Sequence, residues 1–389
     1  MRLMKSFMGY ARSDGTAGAR NHVAILPTVA CANGVAMALA RRVPGTVPMP
    51  HAHGCGRAGR DLELHYRAIE NLAAHPNIGA LLLVGLGCEL IRTEFIAESA
   101  AASGRPVARI DIQSEGGSRH AVAKGVEILK DLVAVTDGAE RVETSLDRLT
   151  VGLKCGGSDA FSGVTANPAV GLVADRLVEA GATVILTENT EMIGTSHILE
   201  RRARDAEVAG RINEMICRAE TNANEILGPL ASMVIAPGNM DGGISTISEK
   251  SLGCIAKGGS ATIEQVVDCG ERPTSKGLVL MDAPGYDMES MAGVAAAGAQ
   301  VMLFTTGRGT PVGFPTVPVI KIASNPALYR SMLDDMDVNA GAVLEGATLA
   351  QVADTIEKLL HHVLDGELTK AERNEQEGIV CLYTTQPAF

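Results

Sequence analysis

A repeated local pattern constrains the fold of this chain more than any other feature of its sequence. A short run rich in Val, Ile and Leu ends in a cluster of Gly and polar residues, and a stretch with helical periodicity follows. The runs are His22–Val29, Ala80–Gly87, Val107–Ile112, Leu149–Leu153, Ala182–Thr187, Met233–Ala236, Gly277–Met281, Gln300–Phe304 and Pro318–Ile322. Continuous apolar strands that alternate with helices are typical of parallel sheets buried on both faces. The pattern therefore predicts an α/β fold of largely parallel sheets covered by helices.

The same pattern divides the chain into two series of strands and helices. Amphipathic periodicity predicts helices at Ser118–Leu132, Ala169–Ala180 and Ser196–Ile226. A charged stretch at Asp137–Asp147 separates the two series, and 389 residues are enough for two domains that each bury a core. We therefore predict two lobes, an N-terminal α/β lobe of residues 1–146 and a C-terminal α/β lobe of residues 147–389.

Charge and hydropathy exclude several classes of function. The formal net charge is −11 and no basic cluster could follow a phosphate backbone, so we expect no nucleic-acid partner. Met1–Tyr10 lacks the apolar core of an export signal, and no apolar run approaches the roughly 20 residues of a membrane helix. We therefore expect a cytoplasmic protein. In that compartment the eight cysteines are expected to be thiols or metal ligands rather than disulfides.

Reactive side chains follow most of the predicted strands. The clusters are Cys31–Asn33, Gly87–Glu89, Lys154–Asp159, Glu188–Glu191, Gly238–Asp241, Asp282–Gly285 and Thr305–Arg308. Ligands of open α/β sheets bind beyond the carboxyl ends of the strands. We therefore expect one composite active site at such an edge. The alternative for each turn taken singly is a purely structural role.

Three cysteines are the candidate metal ligands. Cys55, Cys88 and Cys155 each lie in a turn flanked by Gly, where the backbone can approach a ligand closely. Thiolates from separate loops suit iron or an iron–sulfur cluster. For each of these cysteines taken singly, the alternative to metal binding is a structural role as a small buried side chain. Cys31 and Cys254 fit either description.

Histidines and cations supply further candidates. His51 and His53 share one face of an extended strand, which permits joint metal ligation, or one packed and one hydrogen-bonding ring. Lys250 and Arg308 suit recognition of a substrate carboxylate, and ordinary ion pairing is the alternative. The turn that ends in Ser158 could present backbone amides to an anion. No Walker motif is present and no G-x-G-x-x-G fingerprint follows the first predicted strand, which disfavours a dinucleotide-dependent oxidoreductase.

Many segments in a fixed order resemble one family. The matching segments are Gly9–Gly15, Gly54–Gly56, Val84–Glu89, Lys154–Asp159, Thr165–Pro168, Glu249–Gly253, Met281–Gly285 and Phe304–Gly309. They resemble the altronate/galactarate dehydratase family, which also contains the large subunit of sulfolactate sulfo-lyase. The resemblance extends from about Gly9 to Gly366.

The resemblance implies a lyase that needs ferrous iron. Cys55, Cys88 and Cys155 would then be the shared ligands, with one iron of a cluster open to the substrate hydroxyl. A mononuclear ferrous site is the alternative. The implied reaction removes the C2 proton of a 2-hydroxy acid while the C3 substituent departs, and the resulting enol becomes a 2-oxo acid.

Roles for individual residues follow as hypotheses from this reaction. The catalytic base is expected to be Lys154, His53 or Glu188. Asp159 and Asp282 are expected to orient Lys154 or a water molecule at the metal. The residues expected to contact the substrate are Arg308, Lys250, Ser158 and Asn239.

Two departures from the sugar-acid dehydratases of this family favour the sulfo-lyase branch. Those enzymes usually carry a small extra domain before the segment that begins here at Gly9, so we expect a separate small subunit and a hetero-oligomer. Met240-Asp241 stands where they have Lys-Ala, and Asn189-Thr190 where they have Thr-Pro. We therefore expect conversion of 3-sulfolactate to pyruvate and sulfite. The alternatives are altronate or a related sugar acid as substrate, and a non-catalytic subunit that binds a hydroxy acid.

Overall fold

A computed structural model describes residues 4–233 and 235–389. The strands are β1 Ser6–Ala11, β2 Ala17–Gly18, β3 His22–Pro27, β4 Thr46–Pro48, β5 Ile78–Gly85, β6 Val107–Asp111, β7 Val142–Ser145, β8 Thr150–Cys155, β9 Thr183–Leu186, β10 Ile263–Asp268, β11 Gly277–Asp282, β12 Val301–Thr306, β13 Val319–Ala323 and β14 Val338–Asn339. The helices are α1 Asn33–Ala40, α2 Gly59–Ala73, α3 Thr93–Ala101, α4 Ser118–Thr136, α5 Ala166–Glu179, α6 Ser196–Leu199, α7 Ala206–Leu227, α8 Pro237–Asp241, α9 Ile247–Ile255, α10 Asp287–Ala296, α11 Pro326–Ser331, α12 Leu349–Leu364 and α13 Lys370–Arg373. None of these helices is both long and apolar enough to cross a membrane.

A seven-stranded parallel sheet forms the larger part of the fold. Its strand order is β10-β11-β9-β8-β12-β13-β14, and every pair is parallel. The strands β9, β11, β12 and β13 are buried along their whole length, as expected where helices cover both faces. β8 lies at the centre of this sheet, and the site described below is built around its carboxyl end.

A four-stranded parallel sheet of order β4-β3-β5-β6 is formed by the N-terminal part of the chain. Together the two parallel sheets confirm the predicted α/β class. A third, antiparallel sheet of order β2-β1-β7 was not predicted. β1 and β7 are partly exposed and β2 has only two residues, so none of them has the continuous buried apolar run from which the other strands are predicted.

One predicted strand and one predicted helix differ from the structure. Met233–Ala236 is not a strand: Met233 ends a 3₁₀ helix, Ala236 precedes α8, and Val234 lies outside the described residues. Ile235 packs in a small apolar cluster with residues that include Ala219 of α7, which accounts for the apolar character of the run. The single helix predicted over Ser196–Ile226 is broken into α6, a 3₁₀ turn and α7, because Asp205 begins α7 by accepting a hydrogen bond from the Val208 amide.

The two parallel sheets share one apolar core. A single cluster of buried side chains includes Leu81 and Leu83 of β5 together with Val279 and Met281 of β11. Helix α2 connects two strands of the four-stranded sheet and α10 connects two strands of the seven-stranded sheet. The two helices pack against each other in this core. The division into lobes at residue 146 stays a prediction, since packing is continuous across it.

Two buried histidines are fixed in the neutral form by the same local motif. The ring of His75 uses Nε2 toward the Ala299 carbonyl at 3.0 Å and accepts at Nδ1 from the Asn77 amide at 3.0 Å. His51 likewise uses Nε2 toward Pro27 and accepts from the amide two residues later. Burial lowers the pKa of His75 to about 3 and that of His51 to about 4. Both rings are therefore structural.

Candidate active site

The centre of the site is a buried ion pair at the end of β8. Lys154 is 1% exposed and donates a hydrogen bond to Glu188 Oε1. Its ammonium group also lies 2.8 Å from the Asp287 carboxylate at the start of α10. Burial lowers the pKa of Lys154, but the charges of Glu188 and Asp287 outweigh this and raise it above the usual lysine range. Lys154 is therefore held as an ammonium ion, whereas a lysine base needs a lowered pKa.

Glu188 occupies a strained position just after β9. Its φ of 79° lies in the left-handed region, which non-Gly residues adopt uncommonly. Such strain costs roughly 1–3 kcal/mol and persists where surrounding contacts enforce it. Here the fully buried carboxylate accepts from the Cys155 amide at 2.8 Å and from Lys257 Nζ at 3.2 Å, besides Lys154. The strained turn therefore directs a carboxylate into the end of the sheet.

Two further lysines reach the site from α9 and the turn after it. Lys257 belongs to the 3₁₀ turn Ala256–Gly258 and is fully buried against Glu188. Lys250, on α9, lies 2.5 Å from Glu191 Oε1. Burial lowers the pKa of each lysine, and the nearby anions more than reverse this. The buried charges are thus arranged in contacting pairs of opposite sign, which a low-dielectric interior requires.

Beside the ion pair lies a group of metal-ligand type. The sulfur atoms of Cys155 and Cys254 and a carboxylate oxygen of Glu191 all lie within 4.8 Å of one another. Each thiol contacts Glu191 Oε2, at 2.6 and 2.7 Å, and the two sulfur atoms are 3.3 Å apart. Burial raises the pKa of Glu191, but Lys250 and Lys257 outweigh it and lower the value to about 2. Burial and the neighbouring groups raise the thiol pKa of Cys155.

This group overlaps only partly with the predicted metal ligands. The sequence predicts Cys155 as a ligand and fits Cys254 to either role, but it does not indicate Glu191 as a ligand, although Glu191 closes the Glu188–Glu191 turn. Cys254 lies on a helix, where neither a strand end nor a flanking Gly turn indicates a ligand. The Glu188–Glu191 turn packs against α9, and this contact, which brings Glu191 and Cys254 together, is not visible in the sequence.

Cys55 and Cys88 are not brought to Cys155. Both are exposed, whereas Cys155 is buried. They lie in turns after β4 and β5 of the four-stranded sheet, next to glycines with positive φ, Gly54 and Gly87. Among the residues that the structure describes, neither Cys55 nor Cys88 belongs to the group of Cys155, Glu191 and Cys254. A three-thiolate site of Cys55, Cys88 and Cys155 therefore does not exist in this conformation.

His53 also lies apart from the buried ion pair. Its Nε2 accepts from the Leu382 amide at 3.2 Å, and its ring packs edge-on against His65 with centroids 4.6 Å apart. Burial lowers its pKa to about 4. Its hydrogen bonds, among the described residues, are to the C-terminal segment and neighbouring turns rather than to Lys154 or Glu188. Of the three base candidates, the structure brings together Lys154 and Glu188.

The two predicted orienting aspartates contact other groups. Asp159 accepts from Ser162 and Ser324 hydroxyls, both at 2.7 Å, and from the Asn325 amide group at 2.9 Å, so it fixes the turn after β8. Asp282 accepts from Asn189 at 2.6 Å and from Arg218 at 2.5 Å. Asp282 thereby holds the residue next to Glu188, but neither aspartate hydrogen-bonds to Lys154.

Two of the four predicted substrate contacts line a neighbouring cavity, and the other two lie close to them. Ser158 and Lys250 line a cavity of about 280 Å³. The buried Ser158 hydroxyl has no hydrogen-bond partner among the described residues. Asn239 joins the two, donating to the Ser158 carbonyl at 2.9 Å and accepting from Lys250 Nζ at 3.4 Å. Arg308 is exposed and packs over Gly157, where an added Cβ would meet its side chain at 3.0 Å. The four residues therefore occupy one region beside Cys155.

Known proteins match almost the whole chain. The family profile described as D-galactarate/Altronate dehydratase, C-terminal, matches residues 146–386. The profile described as D-galactarate dehydratase/Altronate hydrolase, second domain, matches residues 9–137. Altronate dehydratase of Bacillus subtilis (strain 168) is 36% identical over 384 residues, which are 95% of this chain and 76% of the relative.

Two other relatives differ in how completely the chain covers them. The beta subunit of (2R)-sulfolactate sulfo-lyase from Chromohalobacter salexigens is 33% identical over 371 residues, 95% of each chain. Galactarate dehydratase (L-threo-forming) of Escherichia coli (strain K12) is 36% identical over 385 residues, 92% of this chain and 72% of the relative. These matches confirm the resemblance seen in the motifs, and since the relatives are dehydratases and a sulfo-lyase, the chain is a lyase. It belongs to the D-galactarate/altronate dehydratase family.

Proposed function

We propose that this lyase acts on a 2-hydroxy acid by β-elimination and yields a 2-oxo acid. The observation that carries the proposal is the buried Lys154–Glu188 pair, which adjoins the Cys155–Glu191–Cys254 group through the Cys155 amide. Glu191 of that group in turn contacts Lys250, which lines the cavity. A proton-transfer pair, a metal-ligand group and an anion-binding cation are the three elements that such a reaction needs. They converge at the carboxyl ends of β8 and β9, where open α/β sheets bind ligands.

We infer that Cys155, Glu191 and Cys254 hold ferrous iron. Two sulfur donors and one oxygen donor suit a borderline-soft divalent cation, and three ligands leave coordination positions for substrate. Lys250 and Lys257, which flank the group, offset the negative charge that two thiolates and a carboxylate would carry. Bound there, iron would supply Lewis acidity toward the hydroxyl and carboxylate oxygens of the substrate.

Glu188 is our candidate for the base and Lys154 for the acid. The Glu188 carboxylate takes the proton from C2, the C2–H electron pair forms the C2–C3 double bond, and the C3 substituent leaves with its bonding pair. The Lys154 ammonium protonates a departing hydroxide, whereas sulfite leaves as an anion and needs only the nearby charge. The enol product then ketonises to the 2-oxo acid. The raised pKa of Lys154 supports this assignment over a lysine base.

For the substrate we propose 3-sulfolactate, with pyruvate and sulfite as products. Support comes from Met240 and Asp241 on α8, which follow Asn239, the hydrogen-bond partner of Ser158 and Lys250, and depart from the sugar-acid pattern. The 33% identity to the beta subunit of a (2R)-sulfolactate sulfo-lyase supports the same choice. Altronate or a related sugar acid is the second candidate, supported by the slightly higher identity to dehydratases of 36%. Arg308, Lys250 and Ser158 would bind the substrate anion in either case.

We further propose a cytoplasmic hetero-oligomer with a separate small subunit. The name of the sulfo-lyase relative, a beta subunit, supports a partner chain. All eight cysteines are free thiols, which suits a reducing compartment.

The test is an anaerobic assay of the iron-loaded chain, co-expressed with its small subunit and offered sulfolactate and altronate separately. We expect pyruvate and sulfite from sulfolactate, and a fall in kcat of about 10²-fold or more for Glu188→Gln. The matched control is Glu127→Gln, which removes an exposed carboxylate on α4 and should leave kcat unchanged. Iron content and circular dichroism of both variants show whether each is folded and loaded.

Each outcome of this assay separates the alternatives. A 2-keto-3-deoxy sugar acid from altronate would replace sulfolactate by the second candidate. Binding of either acid without turnover by the loaded complex would identify a non-catalytic binding subunit. Full activity of folded Glu188→Gln would refute the base assignment.

A further inference from the structure

A second cavity lies at the opposite ends of the strands that form the site. It has a volume of about 270 Å³ and is lined by Thr150 and Thr183, the first residues of β8 and β9. Lys154 and Cys155 end β8, and Glu188 follows β9 by two residues. At about 3.3 Å per residue, the five steps of β8 separate the two places by roughly 17 Å. The second cavity is therefore distinct from the candidate active site.

The lining of this cavity is cationic although the protein is acidic. Arg148, Arg272 and Lys276 line it, and the lining contains no Asp or Glu among the residues that the structure describes. The chain as a whole carries a formal charge of −11. The carboxylate beside it, Asp14, accepts two hydrogen bonds from Thr16 and lies 3.8 Å from Arg105. Three cations therefore face the cavity with no ion-pair partner in its wall.

Two of the cations are held in place before any ligand arrives. Arg272 Nη2 donates to the carbonyls of Asn71 and Ala74 at the end of α2, at 3.0 and 2.8 Å. Lys276 donates to the Asp147 carbonyl. Both side chains keep further N–H donors for a ligand, since an Arg has five and a Lys three. Arg148 is exposed, and its side chain forms no ion pair with the described residues.

A hydroxyl group in the wall also lacks a partner. Thr183 is 3% exposed, and its hydroxyl makes no hydrogen bond to any described residue. Its amide is already used, donating to the Leu149 carbonyl at 2.9 Å. Because Thr183 lines the cavity, this hydroxyl can donate a hydrogen bond to an oxygen of a bound ligand.

We propose that this cavity binds a phosphate group, either as inorganic phosphate or as the phosphate ester of a small metabolite. Three cations and a free hydroxyl match a multiply charged oxyanion with several acceptor oxygens. A monocarboxylate would leave two of the three charges without a counter-ion. Guanidinium groups also present paired N–H donors that fit two oxygens of one phosphate. The site is independent of the elimination chemistry, because it uses none of the residues assigned to it.

Isothermal titration calorimetry of the full chain at constant ionic strength tests the proposal. The probes are inorganic phosphate, glycerol phosphate and succinate. We expect saturable binding of at least one phosphate probe, and weakening by about tenfold or more in Arg148→Gln and in Thr183→Val, since each removes one hydrogen-bond donor to a charged ligand. Arg201→Gln, which removes an exposed cation on the turn before α7, is the matched control and should bind as the unmodified protein does.

The three probes identify the ligand and can also overturn the proposal. Tighter binding of phosphate indicates the free anion, and tighter binding of glycerol phosphate indicates an ester; both support the site. Equal binding of succinate, equal weakening in Arg201→Gln, or no saturable heat with either phosphate probe would each refute it. Thr183→Val keeps the branched shape of the side chain, so its circular dichroism should match that of the unmodified chain.

Discussion

At the scale of single residues, the two proposed metal sites make different demands on the cysteines. The sequence motifs indicate Cys55, Cys88 and Cys155, whereas the structure groups Cys155 with Cys254 and Glu191. Only Cys155 is common to both. Because the sulfur atoms of Cys155 and Cys254 lie 3.3 Å apart, Cys254 is not an isolated packing residue.

We predict that Cys254→Ser abolishes most of the iron content of anaerobically loaded protein, because a hydroxyl is a poor replacement for a thiolate ligand. Cys88→Ser should keep the iron, since Cys88 is exposed and lies outside the group. Metal analysis and the absorption spectrum of both variants provide the measurement. Cys269→Ser, which replaces a buried thiol elsewhere in the core, controls for loss of a buried sulfur.

The opposite pattern would restore the sequence-based hypothesis. If Cys88→Ser loses iron and Cys254→Ser retains it, the ligands come from the motif turns, and the loaded protein must adopt another conformation. Loss of iron in all three variants would indicate a general folding effect rather than ligation.

At the scale of elements, the site depends on how closely α5 approaches the turn that carries Lys257. Gly171 of α5 faces this turn, where an added Cβ would lie 2.2 Å from the Ala256 carbonyl oxygen. Since the clash is with backbone, the turn itself would have to move. The absence of a side chain at Gly171 therefore allows the turn to lie close to α5, in the position from which Lys257 contacts Glu188.

We predict that Gly171→Ala destabilises the protein by about 1–3 kcal/mol, a typical cost of overpacking, and lowers activity further by displacing Lys257. Gly210→Ala on α7 is the control, since an added Cβ there meets nothing within 4 Å. That change should stabilise by roughly 0.5–1 kcal/mol, the usual gain from Ala in a helix. Urea unfolding measures both, and equal effects of the two substitutions would contradict the close approach.

The accuracy of the sequence analysis also varied by element. Continuous apolar runs such as Ala80–Gly87 and Gln300–Phe304 predicted buried parallel strands, because a strand covered on both faces has no polar face. The half-exposed β1 and β7 carry no such signal. The residues of the site divide in the same way. Lys154 and Glu188 follow predicted strands and are predicted as site residues. Cys254 and Lys257 reach the site from α9 and the turn after it, and the position of these elements depends on tertiary packing.

At the scale of the whole molecule, buried neutral histidines link stability to pH. Burial lowers the pKa of His51 and His65 to about 4 and that of His75 to about 3, from the ordinary value of 6.5. Below pH 6.5 the unfolded chain therefore binds protons that the folded chain does not. The stabilisation from these neutral rings is complete above that pH and is lost as the pH falls toward the folded values.

We predict that the free energy of unfolding falls steeply between about pH 6.5 and pH 5, by on the order of 2 kcal/mol for each of the three histidines. His75→Asn should reduce this slope by about one proton, whatever its effect on stability at pH 7. Urea unfolding at several pH values provides the slopes. His120→Asn, which alters an exposed ring on α4, is the comparison; a flat profile for the unmodified protein would contradict the prediction.

The burial of Lys154 and Glu188 has a consequence for the timing of turnover. These side chains are 1% and 0% exposed, so a substrate cannot touch them while the site keeps this conformation. Asp287, at the start of α10, is 34% exposed at its side chain and is the more exposed of the two carboxylates that pair with Lys154. Lys154 and Glu188 can act as the proposed acid and base only through an opening and a reclosing of this segment, motions that commonly take microseconds to milliseconds. On this proposal, the turnover number cannot exceed the rate at which the segment opens.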